Sequence, residues 1–143
     1  MKNKILYNIL SLTWGLPLTI IGAIVALILL ICGKKPKTYG HCVYFAFGGN
    51  WGGISLGRFI FVGTPSERPD MLNHEYGHTF QNCWWGPLFL FVIGLPSLIR
   101  CQYRNYIYKK NYEKYKTLPA YDDIWFEGQA TEWGKKFILT DRI

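Results

Sequence analysis

The residues of this chain best able to do chemistry form one five-residue run: His74, Glu75, Tyr76, Gly77 and His78, the pattern H-E-x-x-H. On a helix, residues four apart lie about 40° apart around the axis, so both imidazoles leave one face and can hold a single metal ion at about 2.0 to 2.1 Å. Glu75 lies to the side of that face, placed to take a proton from an activated water without being a ligand. Gly77 costs a helix interior about 1 kcal/mol relative to Ala, and its missing side chain would let another backbone approach beside His78. The spacing therefore predicts a Zn2+ site with His74 and His78 as metal ligands and Glu75 as the catalytic base.

Two histidines and a water leave a catalytic zinc one protein ligand short. The remaining histidine, His41, lies well upstream, so the third ligand should be a carboxylate. Glu127 and Glu132 are the candidates in the run Trp125 to Trp133. Five residues apart, they point about 140° apart on a helix and cannot both face one ion. Glu127 is preferred, because Ala130 and Thr131 lie one turn later on its face and are small enough to pack closely on the His74 helix. Asp123 is placed to cap the Glu127 helix or to support the ligands from outside, a role open to Thr131 also. Tyr76, Tyr121 and His41 are the candidates for stabilising an oxyanion.

The elements that must position these residues follow from pattern and punctuation. A helix is predicted from Asp70 to Asn82, after the turn formers Thr64 to Pro69, and another from Trp125 to Phe137 beyond the break at Pro119. Upstream, His41 to Phe47 and Ile54 to Val62 read as two strands joined by the glycine-rich stretch Gly48 to Gly53, a β-hairpin. The uncharged run Trp84 to Ile99 is interrupted by Gly86, Pro87, Gly94 and Pro96 and reads as a re-entrant or interfacial segment, or as core beneath the site. Gln102 to Lys116, rich in Tyr, Lys and Arg, reads as a surface helix with aromatic side chains at the level of lipid headgroups.

The N-terminal part sets the broad class. From Ile5 to Gly33 no residue is charged, and at 1.5 Å per residue about 20 helical residues cross a bilayer core of about 30 Å. This block is read as a retained transmembrane helix: Lys2 and Lys4 give the basic start of a signal peptide, but the apolar run is too long for one and no small-x-small cleavage site comes after it. Residues 1–33 are thus a membrane anchor and residues 34–143 a small metallopeptidase-like domain with an apolar, membrane-associated segment at 84–99. The fold class expected is α+β. A net charge of +7 could point to nucleic acid. The basic residues instead gather beside apolar blocks, Lys34, Lys35 and Lys37 after the first and Arg100 to Lys116 after the second, which suits anionic lipid and a cytoplasmic domain. Membrane lipids are therefore the expected partners and nucleic acid is not. Cys32, Cys42, Cys83 and Cys101 show no paired spacing and read as free thiols.

The run HEYGH followed by the later Glu127-x-x-Ala130 resembles the gluzincin metallopeptidases, in which HExxH on one helix is completed by a glutamate on a later one. The chain also resembles small bacterial membrane proteins carrying HEYGH, then a G-P-L...G-L-P-S segment, then an aromatic-E-x-x-A element. The resemblance implies His74, His78 and Glu127 as zinc ligands, Glu75 as base, and a strand edge that binds a peptide in extended form. Thr131 stands where the gluzincin pattern has an aspartate. The chain is accordingly expected to be a membrane-anchored zinc metallopeptidase of the bacterial inner membrane, acting on peptides or proteins near the membrane surface. The alternative is a membrane-bound metal-binding or interaction protein whose site does no catalysis.

Overall fold

The computed structural model describes residues 4–141, an α+β chain. Lys2 lies outside the described residues. The elements in order are α1 (Lys4–Leu12), α2 (Leu16–Ile31), β1 (Lys37–Tyr39), β2 (Cys42–Ala46), β3 (Gly53–Leu56), β4 (Phe59–Val62), α3 (Pro69–Trp85), α4 (Leu95–Lys110), α5 (Tyr112–Lys116) and α6 (Trp125–Asp141). Both histidines lie on α3 and Glu127 on α6.

The N-terminal apolar block folds as two helices meeting at 88°, not as the single helix expected. Gly15 marks the corner: a Cβ there would come within 2.4 Å of the Asn82 amide. Pro17 then sits in the first turn of α2, where its missing N–H costs nothing. At about 1.5 Å per residue, the 16 residues of α2 reach about 24 Å. No single described helix is long and apolar enough to cross a membrane, although two bent pairs satisfy length and composition together, α1 with α2 and Pro69–Leu88 with Leu90–Lys110 at 116°.

The four strands run in the order β1-β2-β4-β3. The expected hairpin between the first and second apolar runs is not formed. The second run folds on itself instead: Gly57, at φ +63°, opens a two-residue turn closed by the pair Leu56 and Phe59. Glycine at the first central position is what such a turn requires. β4 then lies parallel to β2, with Tyr44 beside Ile60 and Ala46 beside Val62, and β3 is left on the edge. A further hairpin joins β1 to β2 through Gly40.

The sheet is covered on both faces. Tyr44, Ile60 and Val62 pack with Leu72, Tyr76 and Phe80 of α3, Tyr7 of α1 and Ile138 of α6. Phe45 and Phe61, on the opposite face, pack on Ala26 and Leu29 of α2. The α2 helix approaches so closely that a Cβ on Gly22 would lie 2.2 Å from the Leu56 carbonyl. Its other side is bare: Ile24, Leu27 and Ile28 are all more than half exposed. The segment 84–99 turns rather than spans. Gly86, at φ +53°, ends α3, a 3-10 turn (Gly86–Leu88) and a π turn (Leu90–Gly94) come next, and α4 starts with Pro96 in its first turn. The expected helix 102–116 is the end of α4 plus α5, parted at Asn111, whose side chain accepts from the Lys114 N–H at 3.0 Å.

The packing of α3 on α6 depends on two glycines. A Cβ on Gly77 would lie 1.8 Å from the Ala130 carbonyl oxygen, and one on Gly134 would lie 1.7 Å from that of Asn73. Backbone sits against backbone at both crossings. Gly77→Ala and Gly134→Ala should therefore each destabilise the fold by about 1–3 kcal/mol or more, as overpacked cores do. Gly49→Ala, with nothing within 4 Å of the new methyl, should change stability by less than about 0.5 kcal/mol. Thermal unfolding in detergent checks all three.

Candidate metal centre

The glycine contacts bring Glu127 over the histidines. Its Oε2 lies 3.1 Å from His74 Nε2 and 3.3 Å from His78 Nε2, and the two Nε2 atoms are 3.2 Å apart. One ligand atom from each residue falls within 4.8 Å of the others, a group able to hold a metal ion. Glu132, the alternative, is exposed on α6 and takes no part. Asp123 closes the turn Tyr121–Asp123 by accepting from the Ala120 N–H at 2.8 Å, where it is solvent-exposed.

The far nitrogens of both rings are held. His78 Nδ1 lies 2.7 Å from Gln81 Oε1, while Gln81 Nε2 donates to the Phe126 carbonyl at 2.8 Å and to Gln129 Oε1 at 3.0 Å. Because a carbonyl can only accept, the Gln81 amide is fixed with its oxygen towards His78. His78 Nδ1 must then carry a proton, and Nε2 is the ring atom turned towards Glu127. His74 Nδ1 pairs with Thr131 Oγ1 at 2.8 Å, so Thr131 supports a ligand from behind. Gln81 was missed in the sequence. Its signal is the spacing, since a residue three after His78 lies on the same helix face.

The Glu127 carboxylate is fully buried, and no hydrogen bond of good geometry reaches either oxygen. Burial opposes its ionisation, but the His74 and His78 imidazoles, with the Ser97 hydroxyl nearby, outweigh that and hold the carboxyl well below the usual carboxylate range. The Glu127 carboxylate and the Nε2 atoms of His74 and His78 thus converge on one point. Two imidazoles with one carboxylate form a donor set that fits a divalent transition metal.

Glu75 is held separately from the ligands. Ser55 Oγ lies 2.7 Å from Glu75 Oε2 and 2.7 Å from the Glu75 carbonyl oxygen. Gly53 lies against the same carboxylate, where a Cβ would come 2.6 Å from Oε1. Both residues belong to β3, the edge strand. Nothing in the sequence marked Ser55, because its meeting with Glu75 depends on strand register.

A cavity of about 190 Å³ opens beside the centre, with Gly53 to Leu56, His74, Glu75, His78, Phe89, Ile93, Ser97 and Tyr121 among its walls. Tyr121 alone of the three oxyanion candidates reaches it. Tyr76 is buried with its hydroxyl accepting from the His41 backbone N–H at 3.2 Å, and the His41 ring lies tilted against Tyr7 and edge-on to Tyr76, away from the cavity. Arg100 donates to the Tyr121 and Ala120 carbonyls at 3.1 and 2.8 Å, Arg104 donates to that of Pro119 at 2.7 Å, and both guanidiniums stack on the Tyr121 ring. Burial pushes the Tyr121 phenol well above its usual range, so at neutral pH it remains a hydrogen-bond donor. Compared with known proteins, the chain matches no family model, no curated protein and no solved structure, and the functional reading rests on this geometry.

Removing the Gln81 amide tests how the ligands are held. Gln81→Leu should weaken divalent-metal binding about 10- to 100-fold, and Glu127→Ala should weaken it further, while Glu132→Ala should leave it unchanged. Competition with a chromogenic chelator measures all three.

Proposed function

We propose that this chain is a membrane-anchored zinc metallopeptidase, a small gluzincin-like enzyme of the bacterial inner membrane that hydrolyses peptide bonds. The observation that carries the reading is the convergence of Glu127 on His74 and His78, the two histidines lining a cavity that Glu75 also lines. His74, His78 and Glu127 would hold the ion, and the neutral-nitrogen and carboxylate donor set suits zinc. Zinc, when bound, supplies Lewis acidity towards a carbonyl and lowers the pKa of water.

The remaining chemistry belongs to the side chains. Glu75 takes the proton of the attacking water as its oxygen bonds to the scissile carbonyl carbon, and passes that proton to the leaving nitrogen as the C–N bond breaks. Ser55 and Gly53 hold the Glu75 carboxylate while this happens. The Tyr121 phenol, kept protonated by burial, donates to the oxygen on which negative charge develops. The outer edge of β3 beside the cavity offers main-chain groups to a substrate in extended form.

Membrane attachment is supported by the bare apolar sides of α1 and α2, where Ile5, Ile9, Ile24, Leu27 and Ile31 are all more than half exposed, and by Lys34, Lys35 and Lys37 directly after α2. The same basic residues favour a cytoplasmic side for the site.

Glu75→Gln should retain one zinc per chain and lose hydrolysis of a casein or peptide-library substrate. Tyr121→Phe should lower kcat about 100-fold or more with KM and zinc content unchanged. Elemental analysis alongside a peptidase assay separates the outcomes: zinc bound with no hydrolysis by the native chain under any substrate would leave a non-catalytic metal-binding protein.

A further inference from the structure

The cavity beside the metal centre has a graded lining. Its buried polar members, Ser55, Glu75 and His78, form the floor. Its exposed members are Ile54, Leu90, Leu95 and Leu98, which are 44, 41, 42 and 50% exposed. Every exposed lining residue is thus aliphatic, and the polar groups lie deeper. The apolar surface continues beyond the rim through Leu88, Phe91 and Ile99, each more than half exposed. So large a contiguous apolar area on a folded chain marks a contact with lipid or protein.

The α4 helix says which. Leu95, Leu98, Ile99, Tyr103, Tyr106 and Lys110 recur at helical spacing and are exposed. Along this one stripe the chemistry passes from aliphatic, through Gln102 and tyrosine, to lysine, with Lys110 Nζ lying 5.3 Å over the Tyr106 ring. That order is the profile of a bilayer boundary, with aliphatic side chains in hydrocarbon, aromatic ones at the headgroups and lysine beyond. From Leu98 to Tyr106 the helix rises about 12 Å, which places the rim below the headgroup level if α4 stands near the membrane normal.

We propose that the metal centre is served from the lipid side, and that the ligand filling the cavity is an apolar peptide segment resident in the bilayer, delivered laterally across the rim Ile54, Leu90, Leu95 and Leu98. The inference rests on the peptidase reading for the identity of the bound group. The peptide is favoured over a lipid acyl chain because the β3 edge, with its main-chain donors and acceptors, forms one wall. An acyl chain has no use for such groups.

The test uses the full chain in phosphatidylcholine vesicles, with Leu98→Cys and, separately, Leu90→Cys carrying a bimane fluorophore in a Cys32→Ser, Cys101→Ser background. Both sites should be quenched by nitroxide-labelled phosphatidylcholine and not by iodide, whereas a Glu132→Cys site should show the reverse. Iodide quenching at positions 90 and 98 would overturn the lipid-side route, as would failure of the chain to float with the vesicles. A second measurement addresses the ligand: competition binding of acetohydroxamate, hexanohydroxamate and a leucine-bearing peptide hydroxamate to the zinc-loaded protein, with the chelator-stripped protein as blank for partitioning. The peptide hydroxamate should bind about tenfold or more tighter than acetohydroxamate, the gain of burying one leucine side chain. Equal affinities would overturn the apolar ligand, and tightening for hexanohydroxamate alone would overturn the peptide in favour of an acyl chain. Zinc stoichiometry is read in the same samples. A chain that floats and shows lipid-phase quenching yet binds no zinc would sink the peptidase reading while the lipid-facing mouth stood.

Discussion

The structure depends on a close approach of two backbones. Gly77 on α3 lies against the carbonyl of Ala130 on α6, and Gly134 on α6 against that of Asn73 on α3, at separations that leave no room for a Cβ. Helices packed through ordinary side chains stand 8–10 Å apart. A glycine at each crossing lets the two helices come closer, and a glutamate side chain is then long enough to meet two histidines on the facing helix. Gly77 accordingly lies between the residues it serves. Its cost to α3 as an isolated helix is offset by the packing that its missing side chain permits.

Once the helices are that close, electrostatics decides what the contact means. A buried carboxylate beside two imidazoles gains nothing from hydrophobic packing, and an ionised group left unpaired in such a place costs several kcal/mol. The surroundings nevertheless favour this state. Gln81, oriented by the Phe126 carbonyl, holds the His78 proton on the far side of the ring, and Thr131 meets His74 in the corresponding place. A fold that needed only stability would fill the space with aliphatic side chains. This one orients two ring nitrogens and a carboxylate towards a common point, and the orienting residues come from the same two helices that carry His74, His78 and Glu127, so helix packing and site geometry are one constraint.

The range of each interaction decided how much of this was legible in the sequence. His74, Glu75 and His78 could be placed because helical periodicity is local, and α3 and α6 because capping and breaking residues mark their ends. Glu127 was preferred to Glu132 on the size of Ala130 and Thr131, an argument about the same close packing that the structure displays. The strands were misread at Gly57: one apolar run looked like one strand, and only a glycine with positive φ turns it into a hairpin that sends β4 back parallel to β2. Ser55 was invisible for the same reason, since its place under Glu75 depends on that turn. The break between α1 and α2 was also hidden. Gly15 and Pro17 are tolerated in membrane helices, and what bends the chain is the fit of Gly15 against Asn82, 67 residues away.

The bend changes what the N-terminal block is. A separate anchor would leave the rest of the chain to form its own core, yet Tyr7 of α1 is fully buried under the sheet, and Ala26 and Leu29 of α2 cover Phe45 and Phe61. Without α2 one face of the sheet would lie bare, and with it the β3 edge that carries Gly53 and Ser55. The helix is therefore two-sided, packed on the sheet by its small residues Gly22 and Ala26 and apolar towards the surroundings through Ile24, Leu27 and Ile28. A small chain has little core to spare, and one helix here both completes the sheet's cover and presents an apolar outer side. The strand that holds Glu75 and the helix with the bare apolar side are therefore packed parts of one unit, and the direction of that apolar side relative to the site is set by the fold itself.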